Sequence, residues 1–379
     1  MYDYAIIGKG MIGSAAARYV SQQSDSVVLI GPDEPENIKA HSGVFASHYD
    51  MGRITRCLDG SLAWALWATR SIAAYPEIEA QSGIRFHHRS GGIQVGFNAP
   101  NPDGNINKAE RNALHLGTAY EKYSAEQFKT IRPELQFVDG LSVLHETGGA
   151  GYVNPRSLVA AQVKITADQG ADIVRETVVD IDTSGAGVTI MTDHGQTIRA
   201  KRVMVSAGAW TEYLTGAELG LIVTPRTITL AQLDSAEAER LKDMPTIIWY
   251  EGMNNPDIEG VYVLPPIEYP DGNTYIKLGG ALRHINYPNS QSELEDWFRT
   301  DGSPIEANAL EYELRRFIPG LRTESVHSRS CAVTKTKQGM PVIETLVDGK
   351  LMVATAGCGA AAKSSNEIGR IAAIRFLKM

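Results

Sequence analysis

Residues 2–8 are a short apolar run ending in glycine, the pattern of a strand buried on both faces in a parallel sheet. Residues 12–22 are small and alanine-rich and predict a helix. Residues 26–30 (S-V-V-L-I) predict a second buried strand, so the N-terminus reads as one β-α-β unit. An irregular stretch over 43–56 precedes a helix over about 61–81. Residues 84–137 then mix strand and helix patterns without an α/β alternation. The rhythm resumes with a helix over 155–169, a strand over 173–181, a hairpin with arms 188–192 and 196–200 around D-H-G, and a buried strand at 202–206. Residues 219–326 read as antiparallel strands broken by Pro/Gly/Asn clusters such as P-P-I-E-Y-P-D-G-N. The end returns to α/β form, with a strand over 350–356, a G-C-G turn and a helix over 360–377.

The first strand-to-helix junction carries G-K-G-M-I-G, with glycines at 8, 10 and 13. Gly8 permits the tight turn, Gly10 lets backbone approach a pyrophosphate, and Gly13 lets helix pack on strand. A phosphate would sit on the free N–H groups at the positive end of the helix. The acidic residue expected at the end of the second strand for ribose hydroxyls is Gly31 here. Asp33, Glu34 or the Gly31 backbone are the candidates to replace it, and no following arginine suggests a 2′-phosphate. Together these features predict an α/β protein. A Rossmann-like dinucleotide domain (1–83, 141–218 and 327–379) is interleaved with a mostly antiparallel α+β substrate domain (84–140 and 219–326).

Composition narrows the class. The 379 residues are 43% hydrophobic and 21% charged, ordinary for a globular enzyme. With 36 basic against 44 acidic residues and no basic block, a nucleic-acid partner is disfavoured. The most apolar stretch, 62–75, is too short for a membrane span and contains Arg70. The chain enters its first strand without a basic leader, and Cys57, Cys331 and Cys358 are odd in number and far apart. The expectation is a cytoplasmic protein, monomeric or a small homo-oligomer, with no disulfide framework and no metal.

Four further patterns carry candidate chemistry. R-I-T-R places Arg53 and Arg56 in an irregular segment, as carboxylate-binding forks or as a surface ion pair. In Y-I-K-L-G-G, Lys277 faces opposite to Ile276 and Leu278, and from pattern alone it reads as a lysine that snorkels to solvent. Cys331 in C-A-V-T-K-T reads as structural filler. The turn A-G-C-G-A-A-A-K-S-S lets a helix N-terminus approach an anionic ligand, and Lys363 is a misfit in that first helical turn.

In this order, with G-Y-V-N-P-R-S-L and V-M-V-S-A-G-A-W between them, the blocks resemble the D-amino-acid-oxidase-like FAD-dependent oxidoreductases, most closely the monomeric sarcosine oxidase branch. The likeness spans nearly the whole chain and is faint over about 95–135. It implies an oxidase that converts the C–N bond of a carboxylate-bearing amine to an imine and O2 to hydrogen peroxide. It implies FAD tethered through Cys331, with Lys277 activating oxygen and Arg56 and Lys363 gripping the substrate carboxylate. Arg53 would lie near the flavin, Val178 at the adenine, and Ala207 and Gly208 along the cofactor. Further cofactor contacts are expected at Met11, Ile12, Asp33, Ser42, Trp210, Gly357, Gly359, Ala360 and Lys363. The chain departs from the family pattern at Ala281, Val333 and Ala360, and a substrate-side tyrosine falls at Tyr262 or Val263. These departures imply a substrate other than sarcosine. Arg283 and His284 could meet a second anionic group or be plain surface residues. The rivals are a dehydrogenase feeding a quinone or partner protein, a tRNA-modifying flavoprotein, and a non-catalytic flavin-binding subunit.

Overall fold

Tyr2–Ile7 and Val27–Ile30 are parallel neighbours, with helix Met11–Ser21 between them in the chain, as the apolar runs predict. This computed structural model describes residues 1–97, 104–250, 253, 255–282, 287–288 and 290–379, so Arg283 and His284 lie outside the described residues. On the other side of Tyr2–Ile7 runs Thr197–Val205, also parallel, followed by Leu351–Thr355. Asp172–Val174 closes the edge beside Val27–Ile30. These central strands are buried on both faces, which is why they read as continuous apolar runs. The helices Met11–Ser21, Leu62–Ser82, Pro155–Asp168 and Ala361–Lys378 pack together as a layer. Inside that layer the buried Arg18 donates to Gln162 and Asn366, so one charge ties three helices together.

The expected strand 173–181 is two strands. Asp172–Val174 and Val178–Asp182 stand at opposite ends of the strand order. The joint breaks because Thr177 turns its backbone to Asp193: its N–H donates to the Asp193 carboxylate and its carbonyl accepts from the Asp193 N–H. Conversely, the hairpin arm and the following strand are one element, Thr197–Val205, since no turn residue separates them.

The second sheet is also eight-stranded. Its order is Ser325–Lys335, Ile222–Leu233, Thr274–Leu282, Ile258–Glu268, Thr246–Trp249, Gly92–Phe97, Leu141–Glu146, Glu121–Ser124. All neighbours are antiparallel except Thr246–Trp249 with Gly92–Phe97. One face buries Ile276, Leu278, Val263 and Trp249 with Leu310, Leu314 and Phe317 of helix Pro304–Phe317. The opposite face carries Lys277 with Leu230 and Leu264. A small sheet of Arg53–Thr55, Gly151–Val153 and His87–His88 lies apart from both, so the segment expected to be irregular contains a short strand.

The two sheets divide differently from the expected segments at two places. Leu141–Glu146 and Ser325–Lys335, expected with the dinucleotide domain, both belong to the second sheet. Each is held there by a long antiparallel ladder, Leu141–Glu146 on Gly92–Phe97 and Ser325–Lys335 on Ile222–Leu233. Cys331 therefore reaches the site from the second sheet. Among the described residues no helix is long and apolar enough to cross a membrane.

Candidate active site

A cavity of about 1070 Å³ runs from the first strand-to-helix turn to the inner face of the second sheet. At its nucleotide end the turn behaves as its glycines predict. Gly8 has φ +108°, and a Cβ there would lie 2.3 Å from the Ser206 carbonyl oxygen. A Cβ on Gly13 would lie 1.9 Å from the Gly8 oxygen, so the helix could not close on the strand. Gly10 has open space beside it on the cavity wall, and no side chain caps the helix that begins at Met11. Free N–H groups thus face a volume large enough for a dinucleotide, and the residues present fit that group. Val178 lines this end, and Ser42, Ala207, Gly208 and Trp210 line the walls further along.

The missing ribose acid has a steric cause. A Cβ on Gly31 would sit 2.7 Å from the Lys9 nitrogen and 2.8 Å from its Cβ. Asp33, expected to take over, is not on the cavity wall; it is ion-paired with Lys9 and with Arg175 at 2.6 Å. Glu34 is held bidentately by Arg156, both contacts at 2.6 Å. Only the Gly31 and Pro32 positions reach the cavity there. Restoring the usual acid with Gly31→Asp should therefore weaken FAD retention, about tenfold or more, because the loop must shift. Fluorescence titration of the deflavinated protein in a Cys331→Ser background, with and without Gly31→Asp, measures it, and tighter binding with Gly31→Asp would refute the steric account.

At the other end, two buried carboxylates organise the cations. Asp50 accepts from Lys277 Nζ at 2.5 Å, Arg53 Nη1 at 2.6 Å and the Tyr269 hydroxyl at 3.0 Å. Lys277 is fully buried, is not on the cavity wall, and also donates to the Gly52 carbonyl at 2.7 Å. The solvent-snorkelling reading is thus wrong, because Asp50 and Gly52 supply the partners that make burial tolerable. Burial, with Arg53 adding to it, pulls the Lys277 ammonium down to about 8 despite Asp50. Burial alone would raise the Asp50 carboxyl, but Lys277 and Arg53 hold it well below the usual range. Arg53 does line the cavity and reaches Cys331 Sγ at 3.4 Å. Cys331 is a free thiol on the same wall.

Asp59 plays the same part for the second pair. Its Oδ2 accepts from Arg56 Nη1 at 3.0 Å and Lys363 Nζ at 2.9 Å. Both cations are at least nine-tenths buried and line the cavity, as does Asp59. Arg56 donates further to the Leu58 carbonyl, and Lys363 to the Trp64 carbonyl at 3.3 Å. Burial pushes the Lys363 ammonium down, with Asp59 partly restoring it. Burial would raise the Asp59 carboxyl, but Lys363 and Arg56 hold it far down. Beneath them Glu146 accepts from the Cys57 and Leu58 N–H groups, and burial raises its carboxyl. His48 also lines the cavity, and burial followed by the charges of Arg156, Lys9 and Arg53 lowers it to about 3, so its ring stays neutral.

The C-terminal turn closes the cavity. Gly357, Cys358, Gly359 and Ala360 line it, and Ala356 and Cys358 adopt φ +63° and +50° although neither is glycine. Such conformations persist where surrounding structure enforces them, here directly at the site. The helix that follows begins at Ala361 with no side-chain cap. Of the two positions expected for a substrate-side tyrosine, Tyr262 is on the cavity wall and Val263 points into the opposite core. Reasoning from residues alone missed Asp50, Asp59, Glu146, Arg226 and Tyr250. An acidic residue three positions from each arginine, at 50 and 59, was the available signal for the two carboxylates.

A dinucleotide-type turn joined by one cavity to paired cations beneath an antiparallel sheet defines a dinucleotide-dependent oxidoreductase. The chain belongs to the FAD dependent oxidoreductase (DAO) family, whose profile matches residues 3–375. It is 25% identical over 388 residues to N-methyl-L-tryptophan oxidase of Yersinia pestis (strain Pestoides F), spanning 98% of this chain and 94% of that protein. The fold is shared with the open form of NikD, an unusual amino acid oxidase essential for nikkomycin biosynthesis, with a TM-score of 0.78 at 19% identity over 98% of this chain and 93% of that one. It is shared too with L-proline dehydrogenase from P. horikoshii, with a TM-score of 0.76 at 14% identity over 100% and 93%. The protein is an FAD-dependent oxidoreductase of the amino-acid-oxidase type.

Proposed function

We propose that the protein oxidises the C–N bond of a carboxylate-bearing amine, an N-substituted or primary amino acid, with oxygen as the final acceptor. The observation that carries this reading is one cavity joining the glycine turn to the buried Arg56–Lys363 pair. FAD, when bound, supplies the redox chemistry, taking two electrons as the amine becomes an imine and passing them to oxygen to give hydrogen peroxide. Gly8, Gly10, Met11, Ile12 and Gly13 would hold its pyrophosphate, Val178 its adenine side, and Ala207, Gly208, Gly357 and Gly359 its length. Arg56 and Lys363 bind the substrate carboxylate, and that anchorage sets the direction of the amine carbon. Asp59 keeps both cations in place and leaves the pair with one net positive charge, matched to one carboxylate. Lys277 acts on oxygen as a buried cation, steadied by Asp50 beside Arg53.

Anaerobic mixing with a panel of N-substituted and primary amino acids tests the reading: at least one bleaches the flavin, and carboxylate-free analogues do not. Bleaching by carboxylate-free amines at equal concentration would remove the carboxylate requirement. One observation favours a dehydrogenase reading, namely that Lys277 Nζ is committed to Asp50 and Gly52 and is off the cavity wall. Oxygen uptake with stoichiometric peroxide during turnover decides for the oxidase. The tether is tested separately. Acid precipitation is expected to leave the flavin in the pellet, and Cys331→Ser to release it to the supernatant. Colour in the supernatant of the parent protein would show that FAD is held by contacts alone.

A further inference from the structure

The cavity holds a cation that neither carboxylate serves. Arg226 lies on Ile222–Leu233, opposite Cys331 in the ladder, and lines the substrate end of the cavity. Asp50 is engaged by Lys277 and Arg53, and Asp59 by Arg56 and Lys363. Arg226 forms no ion pair among the described residues: its one hydrogen bond there is a long one, 3.4 Å, to the carbonyl of its neighbour Pro225, and Glu306, the carboxylate that acts on it through space, accepts from the Thr227 N–H. Gly260 and Ala281 are paired on the adjoining strands, and both line the cavity with Gly280. Tyr262 stands over Gly279, where a Cβ would lie 2.3 Å from the tyrosine oxygen. Its hydroxyl has no hydrogen-bond partner among the described residues, and burial raises it, so it stays a neutral donor.

We propose that Arg226, with the Tyr262 hydroxyl, forms a second anion-binding site in the chamber. The substrate class is then an amine bearing two acidic groups, one held by Arg56 and Lys363 and the other by Arg226. A guanidinium on the chamber wall with free donors presents a planar fork that matches a carboxylate. With Asp59 neutralising one charge of the first pair, that pair and Arg226 offer a single positive charge each, beside the one that Asp50 leaves on Lys277 and Arg53. A monocarboxylate would satisfy one and leave the other unmet. This inference rests on the reading of Arg56 and Lys363 given above.

The test uses the FAD-loaded enzyme and two redox-inert thioether probes, thiodiacetate with two carboxylates and (methylthio)acetate with one. Both are titrated by the change they cause in the flavin absorption spectrum. Thiodiacetate is expected to bind about tenfold tighter or more, the usual worth of a charge-assisted contact. Arg226→Gln should abolish that advantage while leaving (methylthio)acetate affinity unchanged, and Arg226→Lys should retain part of it. Equal affinities for the two probes on the parent enzyme would overturn the second site without touching the first, and that comparison needs no variant. Equal weakening of both probes in Arg226→Gln would likewise overturn it. Failure of either probe to perturb the flavin, with no carboxylate-bearing amine bleaching it, would overturn the underlying reading as well.

Discussion

Lys277→Met slows reoxidation of the reduced enzyme by oxygen about 100-fold, while its reduction by substrate changes by less than about threefold. The asymmetry follows from where charge develops. Oxygen gains negative charge as it takes an electron, and a fixed cation in a low-dielectric site stabilises it without reorganisation. Lys277 is fully buried, so its field is weakly screened, and Asp50 shared with Arg53 leaves the trio one net positive charge. The ammonium is drawn down to about 8, chiefly by burial, so the cation is present below that pH and lost above it. Oxygen reactivity of the parent enzyme should therefore fall as pH rises through about 8, and Lys277→Met should flatten that profile. Stopped-flow spectroscopy of the two half-reactions measures both effects. Equal slowing of reduction and reoxidation would remove the assigned role. A profile rising through the same pH would assign the effect to another group.

Arg56→Met and Lys363→Met each weaken substrate binding about 100-fold, because each removes one of two buried donors to the carboxylate. Losing both cations at once leaves Asp59 uncompensated, and the loss in unfolding free energy is then about 3 kcal/mol, as for breaking a buried pair. The two consequences can be separated. Adding Asp59→Asn to the Arg56→Met/Lys363→Met double variant should recover stability, since no uncompensated carboxylate remains, yet leave substrate affinity low. Thermal denaturation and anaerobic substrate titration of the same preparations check this. Recovery of affinity together with stability would show that Arg56 and Lys363 act only as counter-ions to Asp59 and do not bind substrate.

The parts of the site legible in the sequence are those set by short-range constraint. Gly8 and Gly13 are required by contacts with backbone next to them in space, and the apolar runs around them mark strands buried on both faces. Gly31 was legible as a departure, but its cause, the crowding by Lys9, belongs to the packed turn. Asp33 misled for the same reason: its position after the second strand is right for ribose, yet Lys9 and Arg175 claim its charge. Lys277 also misled, because strand alternation shows which face a side chain takes but not what waits there.

The sequence by itself determined the dinucleotide turn, the buried strands beside it and the residue types at the ends of the cavity. Those follow from period, turn chemistry and spacing along the chain, which act over a few residues. Only the tertiary structure decided how the charges pair. Lys277 meets Asp50 across 227 positions, and Lys363 meets Asp59 across 304. Cys331 and Arg226 share the chamber because two long strands lie in register. Coulomb interaction and desolvation depend on separation in space and on burial, and neither is written in the local pattern. Chain folding therefore settled which cations are spoken for, and left Arg226 facing the cavity without an ion pair among the described residues.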